Sequence, residues 1–342
     1  MFKYFIIICL FVINLSLEQK GGTDVDYCKL KCKDKDHFIC QLKHKCEKAP
    51  GCKKFKDLKL SEKEKQEIVD IHNKWRNDIA LGKKPCKSKD GKDFPKAAAM
   101  NELVWDKELE FQALCWANQC KTKGDPCRVI SDGKLPAGQN IAWSKSKSVS
   151  DLLKEFHSDC KKTTLAQIKT FKASGKSATS DRFTQFIWWE SSKIGCARTE
   201  YEYPKKDVMA HLTCNYAKSG NEEGKPVYPE GEPCKKCSKG TKCHAELKGL
   251  CATKPSKSEY PNICKFAKQK KECVPFLDLT KSKETSATKK DEKEKKEPAK
   301  GDKSTTKNAV SGRKGPKQTG ANERESEGEE CRETRIVVYD SK

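Results

Sequence analysis

The chain has 342 residues, of which 20 are cysteine, with 35% hydrophobic, 35% charged and a formal net charge of +22. Cysteine at that density is foreign to a reducing compartment and natural in an oxidising one, which excludes an ordinary cytosolic protein. An exported chain rarely meets nucleic acid, so the charge points instead to an anionic cell surface, a host receptor or solubility alone. In MFKYFIIICLFVINLSLEQK, Lys3 is a short basic region and Tyr4 to Leu17 an apolar run. A bilayer span takes about 20 apolar residues, so residues 1–18 read as a signal peptide. No second apolar run offers a transmembrane segment. Asn14, the one Asn-x-Ser acceptor, leaves with the leader, so the mature chain carries no N-glycan.

Residues 19–59 form a Cys- and Lys-rich arm with no helical or strand period. The segment LSEKEKQEIVDIHNKWRNDIALG then opens on the capping box Ser61 and Glu64. Ile68, Ile71, Trp75 and Ile79 follow at helical spacing, and Gly82 stops the helix. After a loop with Cys86, Asp90-Gly91 and Pro95, WDKELEFQALCWANQC reads as a second helix. Asp106 is its N-cap and Leu109, Ala113 and Trp116 its buried face. Cys120 to Gly138 is turn-rich. SVSDLLKEFHSDC is a third helix with Leu152, Leu153 and Phe156 inward. RFTQFIWW, IGCARTEYEY and VMAHLTCNY read as strands. Helices early and strands late predict an α+β layered domain over residues 60–221.

Residues 222–273 read as a small appendage held by bridges rather than by a core. Residues 274–342, containing KKDEKEKKEPAKGDKSTTK, cannot bury enough apolar surface to order themselves. From Lys281 to Lys342 there are 17 basic and 13 acidic side chains, so the positive excess belongs to the cysteine-bearing part. Twelve cysteines lie between Cys28 and Cys214, four between Cys234 and Cys251, and Cys264 and Cys273 follow. Each group is even and can pair within itself, which leaves Cys331 able to cross-link an otherwise monomeric chain. Zinc favours tight pairs with histidines nearby. The tight pair Cys234-Lys-Lys-Cys237 sits in a loop-like stretch, so disulfides are the stronger reading.

Several segments together resemble the antigen 5 branch of the CAP superfamily of cysteine-rich secretory, antigen 5 and pathogenesis-related proteins. They are YCKLKC, HNKWRNDIA, LVWDKELEFQALCWANQC, GQNIAW, FTQFIWWESSKIGC and HLTCNYAKSGN, spread over about residues 27–221. The resemblance implies a three-layer α-β-α sandwich and an arthropod venom or salivary allergen. It implies the bridges Cys28–Cys40, Cys32–Cys127 and Cys196–Cys214, with Cys120 joined to Cys52 or Cys46. Cys86, Cys115 and Cys160 look like additions of open pairing. PVYPEGEPCKKCSKGTKCHAELKGLC is similar to the hinge of helminth and arthropod relatives, without the ion-channel-regulatory module of reptile and mammal ones.

Metal-competent members of that family carry two histidines and two acids in one cleft. Laid over that pattern, this chain has Gly124 and Arg182 for the histidines and Gln139 and Asp159 for the acids. Guanidinium stays protonated and offers no lone pair, so the expectation is no zinc, no cofactor, no catalytic residue, and an Arg182–Asp159 salt bridge. None of the six histidines forms an i,i+4 pair, and no Gly-x-Ser-x-Gly elbow occurs. His72 reads as a hydrogen-bonded structural residue, and the six tryptophans as core. The expected function is non-enzymatic binding, with a small lipid or sterol as a ligand class by resemblance. The alternative is an integrin- or ion-channel-directed toxin, the integrin form resting on Lys123-Gly124-Asp125 and its second copy Lys300-Gly301-Asp302. A secreted protease ranks last.

Overall fold

The computed structural model describes residues 22–132, 136–175, 181–203 and 207–267. The expected leader, Cys273, Cys331, the charged tail and the second Lys-Gly-Asp copy lie outside the described residues.

In chain order the elements are β1 (Lys31–Cys32), β2 (Lys35–Asp36), α1 (Phe38–Gln41), β3 (Lys56–Asp57), α2 (Glu62–Ala80), β4 (Val104–Trp105) and α3 (Lys107–Ala117). Then come β5 (Gly138–Ser144), α4 (Val149–His157), α5 (Leu165–Lys169), α6 (Arg182–Phe186), β6 (Lys193–Tyr203) and β7 (Asp207–Ala217). The main sheet runs β3-β6-β7-β5, with β4 added in parallel to β6. β6 and β7 pair antiparallel from Lys193↔Ala217 to Tyr203↔Asp207.

Side chains alternate across a strand, and the register sorts them into two layers. Ala142, Ile194, Cys196, Leu212, Cys214 and Tyr216 join the main core with Ile68, Ile79, Leu152, Leu153, Phe156, Phe183 and Phe186, so α2, α4 and α6 cover that face. The other face meets α3, where Ala113, Ala117 and Ala197 pack together. Small residues let α3 lie close. A Cβ on Gly195 would collide with the backbone of α3 at Asp106 and Glu110, so the helix sits directly on the strand. The result is an α-β-α sandwich.

The helix starts follow their capping chemistry. Ser61 N donates to the Glu64 carboxylate at 2.9 Å and Glu64 N donates back to Ser61 Oγ at 3.3 Å. Asp106 accepts from Glu108 N and Leu109 N. Buried Arg76 then joins α2 to the rest of the core. Its guanidinium donates to Asn101 O from Nε (3.0 Å) and Nη2 (2.8 Å), and to the carbonyls of Phe186, Trp188 and Ser191 at 2.9–3.0 Å. Burial lowers its pKa to about 9, which leaves it charged at neutral pH.

Two expectations are corrected, and one strand is added. RFTQFIWW is not a strand: Arg182–Phe186 is helical. A buried segment this short carries no decisive period. Asp181, at φ 58°, turns the chain, and its carbonyl accepts from Thr184 Oγ1, Asn221 Nδ2 and Gln185 N. GQNIAWS, not assigned as a strand, is the edge strand β5. Its pairing with β7 supplies the order that its mixed composition conceals. The appendage is held by more than bridges, because Val227, Tyr228 and Leu250 are fully buried in the main core. Each such side chain contributes about 1.5–3 kcal/mol. The arm likewise has its own core, in which Val25, Tyr27, Phe38 and Ile39 pack on Phe111 of α3.

Bridges tie these parts together. Cys28–Cys40 closes the arm locally; Cys32–Cys127, Cys46–Cys115 and Cys52–Cys120 fasten it to α3 and the loop beyond. Cys86–Cys160 joins the loops after α2 and α4, and Cys196–Cys214 crosses β6 and β7. Cys234–Cys243 and Cys237–Cys251 knot the appendage.

The Arg76 fork yields the first prediction. Arg76→Met removes the guanidinium donors from the carbonyls of Asn101, Phe186, Trp188 and Ser191, of which Trp188 O keeps only Ser191 N. Urea denaturation should show a loss of about 3–5 kcal/mol, the scale for breaking a buried charged network. An unchanged midpoint would contradict the account.

Candidate functional site

The four positions aligned with the family's metal cleft do not form one ligand set. Gln139 and Asn140 are neighbours on β5 and point to opposite faces of the sheet. Gln139 Nε2 donates to Asp125 Oδ2 at 2.9 Å and Asn215 Oδ1 at 3.0 Å, while its Oε1 accepts from Asp125 N. Gly124 precedes that Asp125 and contributes no side chain. On the other face, Asn140 Nδ2 donates to Arg182 O and to Tyr216 Oη.

Asp159, in the 3-10 turn Ser158–Lys162 that extends α4, meets Arg182 at the start of α6. Arg182 Nε donates to Asp159 Oδ2 at 2.7 Å, and both side chains are over 90% buried. Lys162 Nζ takes the other carboxylate oxygen at 2.8 Å, and Glu155 lies 3.7 Å from Arg182 Nη2. One acid is thus shared by two cations. A further cation would have to displace them, and Arg182 can never ligate it. These residues do not fit a metal ion.

The histidines are committed to packing. His72, on α2, bonds Ile68 O at 2.7 Å and Tyr216 Oη at 3.0 Å and stacks on Phe186. Burial holds its pKa down at about 3. His157 stacks on Trp75, and burial together with Lys154 lowers it to about 4. His211 stacks on Tyr201 and is lowered by burial to about 3. Among the tryptophans, Trp188 is fully buried, and Trp75, Trp105 and Trp189 flank the same core.

Asp125 of the Lys-Gly-Asp tripeptide is a further correction. An integrin ligand presents a free carboxylate, but the Asp125 side chain is 0% exposed. It accepts from Arg128 Nε at 2.6 Å and from Gln139. Lys123 and Gly124 remain at the surface without their acid.

Two features were not read from the sequence. Asp26, Cys28 and His44 bring one ligand-type atom each within 4.8 Å of the others, but the Cys28 sulfur is bonded to Cys40 and is no thiolate. No local spacing signals that cluster. A polar cavity of about 280 Å³ is lined by Thr23 and Val25 of the arm, Asp106 and Glu108 at the start of α3, Ser131, Lys193 of β6, and Lys257, Ser258, Glu259 and Pro261. Glu108 accepts from Ser131 N, Ser131 Oγ and Tyr27 Oη, and burial raises its pKa. Five separated segments build this cavity, so only the folded chain reveals it.

Comparison with known proteins identifies relatives of the chain. Residues 69–216 fit the model of the cysteine-rich secretory protein family, CAP. Venom allergen 5 of Polistes dominula is 33% identical over 230 residues, covering 65% of this chain and 96% of that protein. The cysteine-rich venom protein of Tityus serrulatus is 33% identical over 247 residues, covering 65% of this chain and 56% of that protein. A solved structure, NaASP2 with Zn2+, is 29% identical over 59% of this chain and 100% of its own, with a TM-score of 0.45. With an antigen 5 relative matched along nearly its whole length and the sandwich and bridges in place, the chain belongs to the CAP family of cysteine-rich secretory proteins, as an antigen 5-like member.

Proposed function

We propose that the protein is secreted and acts by binding, without catalysing a reaction, in venom or a comparable secretion. The observation that carries this reading is the buried Arg182–Asp159 pair, which fills the place where metal-competent relatives carry a histidine and an acid. A catalytic centre needs a titratable group or a metal within reach of substrate. Here the histidines of α2 and β7 are stacked and buried, and the described cysteines are disulfide-bonded. Secretion is supported by the kind of relatives matched and by the cysteine content, and no described helix is long and apolar enough to cross a membrane.

A small amphipathic molecule is the ligand class that the family resemblance suggests. The described cavity between arm and α3 is lined mainly by polar and charged groups, which suits a polar headgroup better than an acyl chain. Native mass spectrometry of protein taken from its secretion tests the carrier reading. A stoichiometric adduct lost on denaturation is expected; bare protein in every preparation would rule it out.

The non-catalytic reading has its own test. Isothermal titration of metal-free protein with zinc should show no stoichiometric site tighter than about 10 μM, a binding energy near 7 kcal/mol. A one-to-one micromolar site abolished by Asp159→Ala would contradict it.

A further inference from the structure

Residues 234–251 make a small knot whose surface chemistry serves neither the core nor the cleft. Cys234–Cys243 and Cys237–Cys251 close it, and Cys243 and Cys251 also form an antiparallel bridge. It is anchored from below. Lys236 N donates to Ala98 O, Cys251 N to Met100 O and Gly249 N to Asn77 Oδ1, while Leu250 and Cys251 are fully buried. The backbone is therefore pre-ordered.

On this base stand Lys235, Lys236, Lys239, Lys242 and Lys248, all exposed, with Glu246 the one acid inside the knot. None of the five ammonium groups has an ion-pair partner among the described residues. Other lysines are neutralised: Lys31 by Asp36, Lys54 by Glu202, Lys56 by Glu200 and Lys96 by Glu232. Cys234 and Cys243 have Cα atoms 5.4 Å apart. Successive Cα atoms are about 3.8 Å apart, so the Lys235 and Lys242 backbones lie within about 13 Å of each other.

We propose that this knot is a binding site for a sulfated polysaccharide. Unpaired positive charge on a rigid support attracts a polyanion without an ordering cost to the backbone. Firm seating on an anionic lipid surface draws on inserted apolar side chains as well as on charge. The knot exposes no large apolar side chain; Val208, on β7, is the one large hydrophobic residue exposed among the described residues. The proposal rests on the extracellular binding role, but its test reads neither the cleft nor a co-purified ligand, so the two fail separately.

The test uses the full mature chain on immobilised heparin at about 0.15 M salt, where exposed charges are screened beyond about 8 Å. Two fourfold variants carry equal charge loss. One combines Lys235→Ala, Lys236→Ala, Lys239→Ala and Lys242→Ala. The other combines Lys289→Ala, Lys290→Ala, Lys295→Ala and Lys296→Ala in the charged tail. Since the knot lysines are exposed and off the bridges, circular dichroism should be unchanged. The knot variant should bind about tenfold or more weakly and the tail variant within about twofold, while desulfated heparin should not retain the wild type. Equal losses in both variants, retention on desulfated heparin, or tighter binding to phosphatidylserine vesicles than to heparin would overturn the proposal.

Discussion

One guanidinium organises the fold. Arg76 leaves α2 inside the molecule and gathers the carbonyls of Asn101, Phe186, Trp188 and Ser191. Phe186 ends α6 and the other three lie outside the regular elements, and a buried carbonyl without a donor costs about 1–3 kcal/mol. The same helix contributes Asn73, whose side chain holds both the N–H and the carbonyl of Leu103, and His72, which reaches Tyr216 on β7. Three polar residues within five positions thereby join α2 to the sheet, to α6 and to the loop before α3.

The same economy governs the cleft. Residues whose types suggest chemistry are absorbed by internal bonds: Asp159 by Arg182 and Lys162, Asp125 by Arg128, Glu108 by Ser131. What remains available to a partner is the exposed surface and the polar cavity beside the arm. The scaffold is also stapled, with the arm bridged to α3 and the loop beyond it.

Regular elements with strong local signals were readable from residue order. The α2 capping box, the Asp106 cap and the aromatic and β-branched content of IGCARTEYEY and VMAHLTCNY depend on neighbours within a few positions. RFTQFIWW failed because seven of its eight residues are buried and only Trp189 is partly exposed, leaving neither period visible, and because Asp181 and its tertiary partners decide the turn. β5 was hidden because a strand with Gly138, Gln139 and Asn140 relies on its partner rather than on propensity. The Arg182–Asp159 contact was expected from residue types laid over a family pattern. The separation of Gln139 from it depends on strand facing, which only the register settles. The partners of Cys46, Cys86 and Cys115 lie 69 and 74 positions away, and nothing local encodes such pairs. The arm cavity and the burial of Asp125 are likewise products of distant segments.

If the imidazoles are architecture, they must be neutral in the folded state wherever a catalyst would need them to exchange protons. Burial holds His37, His72 and His211 at about 3 and His157 at about 4. The unfolded chain binds those protons near pH 6.5, so stability from these groups is complete above about 6.5 and is lost as pH falls toward 3. The most direct measurement is an NMR titration of the histidine side chains between pH 8 and 5. The account predicts that none of these four takes up a proton in that range. A midpoint near 6.5 for His72 would contradict it.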